Sequence, residues 1–219
     1  MFRNRSEAGQ KLAERIRSLA LNGFTTVFGL SRGGVPVAAE IARAIRAPLD
    51  VLVVRKIGYP GNPEFAAGAV AEDGIKVLHP DPQLNSELLA EYARRELAAV
   101  RKRIRRFRSG RPLPALNGRT AILVDDGLAT GATMQAAILA VRRKHPAQLV
   151  VAVPVAPPDA LQTISAMADH VVCLQAPQIF SAIGDFYLDF NPTTDEEVDS
   201  LLKSASESLT HSATAEVSC

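Results

Sequence analysis

Five short apolar runs constrain this chain more than any other feature. Thr25–Leu30, Leu49–Val54, Thr120–Val124, Leu149–Val155 and His170–Leu174 are of strand length, rich in Val, Ile and Leu, and lack polar alternation. Strands of that composition are buried on both faces. Between and around them, Glu7–Leu21, Val35–Ile45, Ser86–Phe107, Met134–Lys144 and Asp159–Met167 read as helices. The rhythm predicts an α/β fold, a mainly parallel sheet with helices on both faces. In such sheets ligands bind beyond the C-terminal ends of strands, near a switch in strand order. The segments after Leu30 and after Val124 both leave such ends.

A length of 219 residues, 47% of them hydrophobic, suits a single domain with a substantial core. The core is expected over about residues 6–175, with a cap or hood over 176–191 and a C-terminal helix before a frayed tail. That tail, from Lys203 onward, is rich in Ser, Thr and Ala. Two cysteines, Cys173 and Cys219, suggest neither a disulfide framework nor a zinc site. No apolar run reaches the ~18 residues of a membrane span, and the N-terminus lacks the h-region of a secretory leader. A reduced, soluble, cytoplasmic protein is expected. The segment Ile57–Glu72 crowds Gly58, Pro60, Gly61 and Pro63 together and reads as a mobile loop. Its Gly68–Val70 and Lys76–Leu78 flanks are candidates for a small hairpin.

The most informative stretch is Ile122-Leu-Val-Asp-Asp-Gly-Leu-Ala-Thr-Gly-Ala-Thr133. Two adjacent acids at a buried strand tip are costly unless something binds them. Carboxylates accept hydrogen bonds from vicinal hydroxyls, while the amides and hydroxyls of a Gly/Thr loop opening a helix cradle phosphate. The pattern therefore fits a phosphorylated sugar. The missing Lys excludes a Walker phosphate loop, and the glycine spacing does not fit a dinucleotide fingerprint.

These residues resemble the phosphoribosyl pyrophosphate (PRPP) motif of the type I phosphoribosyltransferase family. The resemblance implies the family's Rossmann-like fold. It also implies Mg²⁺ as cofactor and transfer of phosphoribosyl from PRPP to a nitrogenous, purine-like base with release of pyrophosphate. Asp125 and Asp126 would hold the ribose hydroxyls. Gly127 and Ala129, Thr130, Gly131, Ala132 and Thr133 would wrap the 5-phosphate. Ser31-Arg32-Gly33-Gly34 resembles the pyrophosphate loop, where the peptide before the basic residue is often cis, here Ser31–Arg32. Arg55 and Lys56, in Arg-Lys-x-Gly, resemble a segment of the adenine transferases that neutralises the leaving pyrophosphate. Gly61-Asn62-Pro63-Glu64-Phe65 would then be the lid, and Glu64 would assist proton transfer, with Glu72 and Asp73 as rivals. Phe180 and Asp189 match the hood positions that stack on the base and contact magnesium. Two departures leave the acceptor open. Val153–Pro157 lacks the Lys that reads a 6-oxopurine, and Ala129 stands where some purine transferases carry a general-base Asp.

Two other readings follow from the residues. Gly29-x-Ser31-x-Gly33 between a strand and a helix is a nucleophile-elbow signature. Ser31 would then be a serine-hydrolase nucleophile with His79, His145, His170 or His211 as base. However, the elbow follows the first strand, with no earlier strand–helix unit to supply an oxyanion loop. The second reading is a PRPP- or nucleotide-sensing regulator of nucleic acid. It draws on the basic stretch Arg94–Arg111, in which Glu96 is the only acid. Along the helix expected at Ser86–Phe107, Ala93, Leu97, Val100, Ile104 and Phe107 form an apolar stripe, which predicts that the cations lie mostly on solvated faces. An oligomer contact or an anionic partner are the functional alternatives for those cations, and a homo-oligomer is expected. A net charge of +2 does not by itself imply nucleic acid.

Overall fold

A computed structural model describes the backbone of residues 1–21, 23–59, 62–78 and 86–216; of these, side chains are described outside residues 59, 62–66, 73, 86 and 210–216. The chain runs α1 (Arg5–Arg17), β1 (Thr25–Leu30), α2 (Gly34–Ile45), β2 (Leu49–Leu52), β3 (Val54–Tyr59), β4 (Asn62–Ala71), β5 (Lys76–Leu78) and α3 (Ser86–Arg108). It continues through β6 (Thr120–Val124), α4 (Ala132–Arg142), β7 (Gln148–Val155), α5 (Pro158–Ser165), β8 (His170–Gln175) and α6 (Asp195–Glu216). A 3₁₀ turn at Ile183–Phe186 lies within the hood.

The central sheet has the order β2-β1-β6-β7-β8, and every neighbouring pair is parallel. Successive residues of each strand enter opposite cores. Phe28, Leu123 and Val151 pack with Met134 and Ile138 of α4 and Ile164 of α5. On the other face Val27, Ile122 and Val150 pack with Leu12 and Ile16 of α1 and Ile41 of α2. Strand order reverses between β1 and β6, whose C-terminal ends stand side by side through the Gly29–Val124 pairing. This is the crevice where such sheets bind ligands.

Three expectations are corrected. The described residues of Ile57–Glu72 are mainly strand: β3 and β4 pair antiparallel, and β5 adds a third strand. The burial of Ile57, Ala69, Val70 and Ala71 outweighs the turn-forming Gly and Pro that the sequence suggested. Gly68 lies close against β5, where a Cβ would sit 2.2 Å from the Val77 carbonyl oxygen. The small hairpin expected at 68–70 and 76–78 is present, with Gly68 opposite Leu78. The run Leu49–Val54, expected as one strand, divides at Val53, whose N–H donates to the Glu72 carboxylate at 2.8 Å. The third correction is the stretch from Lys203, which continues α6 as helix to Glu216. Val198, Leu201 and Leu202 anchor that helix against Val51, Val53 and the apolar stripe of α3.

Candidate active site

Strand β6 ends at Val124 and delivers Asp125 and Asp126 to the switch point. They are not equivalent. Asp126 is buried, and its Oδ2 accepts from Arg5 Nε at 2.7 Å. Asp125 is half-buried and accepts from the Asp126 N–H at 3.0 Å. Burial raises the pKa of both acids. The charge of Asp126 raises Asp125 further, and Arg5 pulls Asp126 back. A carboxyl pair so placed favours any ligand that donates hydrogen bonds to it or brings positive charge.

After the acids the chain makes one close turn. Gly127 fits beneath the hood, since a Cβ there would meet Ile183 at 2.7 Å. The Leu128 N–H is spent on the Val155 carbonyl at 2.9 Å, leaving Ala129 and Thr130 exposed. Gly131, at φ 76°, caps α4 without a side-chain bond. Positive φ there suits glycine alone without strain. The first amides of α4 point out of the helix with no intrahelical acceptor, the usual arrangement of an anion site. Among the described residues, only the Thr130 hydroxyl approaches one of them, the Ala132 N–H, at 3.5 Å.

The β1–α2 loop faces the acids across the crevice. Its Ser31–Arg32 peptide is cis, as the resemblance implies. Gly33 and Gly34 allow a backbone approach that no side chain would. A Cβ on Gly33 would lie 2.1 Å from Asp126 Oδ2, and one on Gly34 would lie 2.4 Å from the Val124 carbonyl oxygen. Arg32 reaches away to Asp195 on α6 at 3.3 Å. On β3, Arg55 binds Glu96 of α3 at 2.7 Å, and Lys56 is exposed.

The hood is tied to the motif by residues that sequence reasoning did not select. Arg5 bonds Asp126 and, through Nη1, the Asn191 carbonyl at 2.8 Å; its guanidinium lies 4.0 Å from the Phe190 ring centre. Tyr187 donates its hydroxyl to the Asp126 carbonyl oxygen at 2.7 Å and stacks on Phe190. Burial raises the Tyr187 phenol well above its ordinary range, so it stays a donor. Phe2 pairs with Tyr187, closing the N-terminus onto the hood. These partners lie 121 and 61 positions from Asp126, beyond any motif window. Phe180 is half-exposed and stacks on Phe186 at 5.5 Å. Asp189 is exposed and accepts from Asn191 Nδ2 at 2.7 Å.

Of the proton acceptors considered, Glu72 is excluded. It is buried, bonds the Val53 N–H and is ion-paired with Arg108, which is buried too. Glu64 has its backbone in β4; its side chain and that of Asp73 lie outside the described residues, as does Gly61 of the expected lid. Among the described residues the hydrolase arrangement is not assembled. Ser31 follows the C-terminal end of β1, whereas His145 precedes β7 and His170 begins β8, at the opposite end of the parallel sheet. His79 and the His211 side chain lie outside the described residues. Several cations of α3 are matched internally: Arg106 bonds Asp195, Glu196 and Asp199, and Arg95 bonds Glu91. Among the described residues no helix is long and apolar enough to cross a membrane.

Two Mycobacterium tuberculosis proteins, "Putative phosphoribosyl transferase" MT0597 and Rv0571c, are each 44% identical over 209 residues. The match takes in 94% of this chain and 47% of theirs, so the chain spans about half the length of these relatives. The crystal structure of TT1426 from Thermus thermophilus superposes with a TM-score of 0.76 at 49% identity, covering 92% of this chain and 97% of that one. AQ2163 from Aquifex aeolicus shares the fold, with a TM-score of 0.54 at 12% identity over 90% of this chain and 83% of its own. The phosphoribosyl transferase domain matches residues 3–191, from the Arg5 segment through the hood, and the chain accordingly belongs to the phosphoribosyl transferase family.

Proposed function

We propose that the chain transfers 5-phosphoribosyl from PRPP to a ring nitrogen of a heterocyclic base, releasing pyrophosphate with Mg²⁺ as cofactor. The observation that carries this reading is the meeting of Asp125 and Asp126 with the Gly33–Gly34 backbone at the β1/β6 switch point, beside the uncapped N-terminus of α4. One end of that crevice suits a diol and a phosphate. The other suits a diphosphate.

In this account the amides of Ala129–Thr133 hold the 5-phosphate and Asp125 and Asp126 bind the ribose hydroxyls. Arg32, Arg55 and Lys56 take up the charge that grows on the departing diphosphate. Holding the sugar at both ends places C1 against the base and supplies catalysis by position. Phe180 stacks on the base. Glu64 accepts the proton that its nitrogen loses. The β3–β4 hairpin shields the reaction from water, since hydrolysis of an oxocarbenium-like sugar is the competing outcome.

Magnesium would neutralise diphosphate oxygens and so improve the leaving group. The donor set fits such an ion. Among the described residues no three His, Cys, Asp or Glu groups cluster to cage a metal. Mg²⁺ characteristically rests on substrate phosphates and one or two carboxylates, for which Asp189 and Asp125 are available.

The test is pyrophosphate release from PRPP across a panel of purines, pyrimidines and small heterocycles, with and without Mg²⁺. Turnover with at least one base, lost in Asp125→Asn/Asp126→Asn, supports the proposal. PRPP binding without turnover on any base would end the enzyme reading and favour a PRPP sensor.

A further inference from the structure

The basic helix α3 carries a half-buried cation, Arg103, for which the interactions above do not account. Arg103 is half-buried, although the apolar stripe predicted solvated cations, and among the described residues it has no hydrogen bond or ion pair. Its neighbours define a site. Arg55 binds Glu96, two turns before Arg103 on the same face of α3. One turn after Arg103, Arg106 binds Asp195, the carboxylate that also holds Arg32. Arg103 therefore lies between the anchors of the two arginines already assigned to the diphosphate.

We propose that Arg103 is a third arginine of the diphosphate site, acting on PRPP and released pyrophosphate together with Arg32 and Arg55. The inference rests on the transferase reading. Glu96 pairs with Arg55, and Asp195 with Arg32 and Arg106, so neither carboxylate bonds Arg103. Burial and the charges of Arg55 and Arg32 hold Arg103 below the ordinary guanidinium range, with Asp195 and Glu96 acting in the opposite sense. A multivalent anion relieves that repulsion, and the planar fork of arginine suits phosphate oxygens. Glu96 and Asp195 serve as resting partners. When the diphosphate draws Arg32 away, Asp195 keeps Arg106 as its counter-ion.

The experiment compares Arg103→Gln, Arg103→Lys and the exposed control Arg101→Gln by calorimetry, titrating each folded protein with inorganic pyrophosphate, PRPP and ribose 5-phosphate in the presence of Mg²⁺. Arg103→Gln is expected to weaken pyrophosphate and PRPP at least tenfold while leaving ribose 5-phosphate within twofold. Arg103→Lys is expected to recover part of the loss, and Arg101→Gln to bind as the parent does. Unchanged pyrophosphate affinity in Arg103→Gln would overturn the assignment, as would an equal loss of ribose 5-phosphate. A parent protein that binds pyrophosphate but not PRPP would overturn the transferase reading, yet the Arg103→Gln loss would still establish the arginine site.

Discussion

Replacing Asp125 with Asn separates what the site does for the ligand from what it costs the fold. In the unliganded chain two carboxyls sit side by side, Asp126 buried and Asp125 half-buried, with Arg5 as the counter-ion of Asp126. Two unit charges about 5 Å apart repel by about 3 kcal/mol at an effective dielectric of about 20. Arg5 offsets part of this, so removing the Asp125 charge should stabilise the free protein by on the order of 1–2 kcal/mol at pH 8. For a domain of this size that raises Tm by about 2–4 °C per kcal/mol. Asn can still accept the Asp126 N–H that Asp125 accepts at 3.0 Å, so the local geometry has a reason to persist.

The sign of the pH dependence follows from the raised pKa. The folded chain keeps a proton on Asp125 at pH values where the unfolded chain, near 3.8, has lost it. Parent stability therefore falls as pH rises above about 4 and levels off above the raised value. Asp125→Asn lacks that descent, so the two proteins converge near pH 4 and diverge toward pH 8. PRPP affinity should move the other way. A hydrogen bond to a charged acceptor contributes about 1.5–3 kcal/mol, so at least a tenfold loss is expected. Denaturant unfolding from pH 4 to 8, with PRPP titrations at pH 8, checks both. A variant less stable than its parent at pH 8, or a pH-independent difference between them, would refute the electrostatic reasoning.

Arg5→Ala strands Asp126 and frees the hood; breaking a buried pair costs about 3–5 kcal/mol, and a Tm lowered by several degrees should restore partly in Arg5→Ala/Asp126→Asn. Gly33→Ala places a methyl 2.1 Å from Asp126 Oδ2. Overpacking of this kind costs about 1–3 kcal/mol, and PRPP binding should fall at least tenfold, as calorimetry would read. Arg108→Ala leaves Glu72, whose pKa burial already raises, without its counter-ion. A loss of about 3–5 kcal/mol in denaturant unfolding is expected, with partial recovery on adding Glu72→Gln.

Much of the fold was legible because the central strands are buried on both faces and leave unbroken Val/Ile/Leu runs. The acid pair and its Gly/Thr loop were legible for a similar reason, since adjacent carboxylates at an apolar strand tip need a purpose. The β3–β4 hairpin was not, because Gly58, Pro60, Gly61 and Pro63 signal a loop locally, while tertiary burial of Ile57 and Val70 decides otherwise. Arg5 and Tyr187 were hidden by distance along the chain. Neither carries a motif of its own, and each acquires its role only when the N-terminus and hood close on Asp126. Arg103 was obscured by an amphipathic pattern that holds for most of the helix and fails at Arg103 and at the buried Arg108.

The central claim is that the crevice between β1 and β6 is built for PRPP. Calorimetric titration of the intact chain with PRPP and Mg²⁺, beside Asp125→Asn/Asp126→Asn verified as folded, tests it most directly. The account predicts one PRPP per chain for the parent and an affinity at least a hundredfold weaker for the double variant, the loss of about two charge-assisted hydrogen bonds. Equal affinity in the two proteins, or no binding by the folded parent, would contradict it.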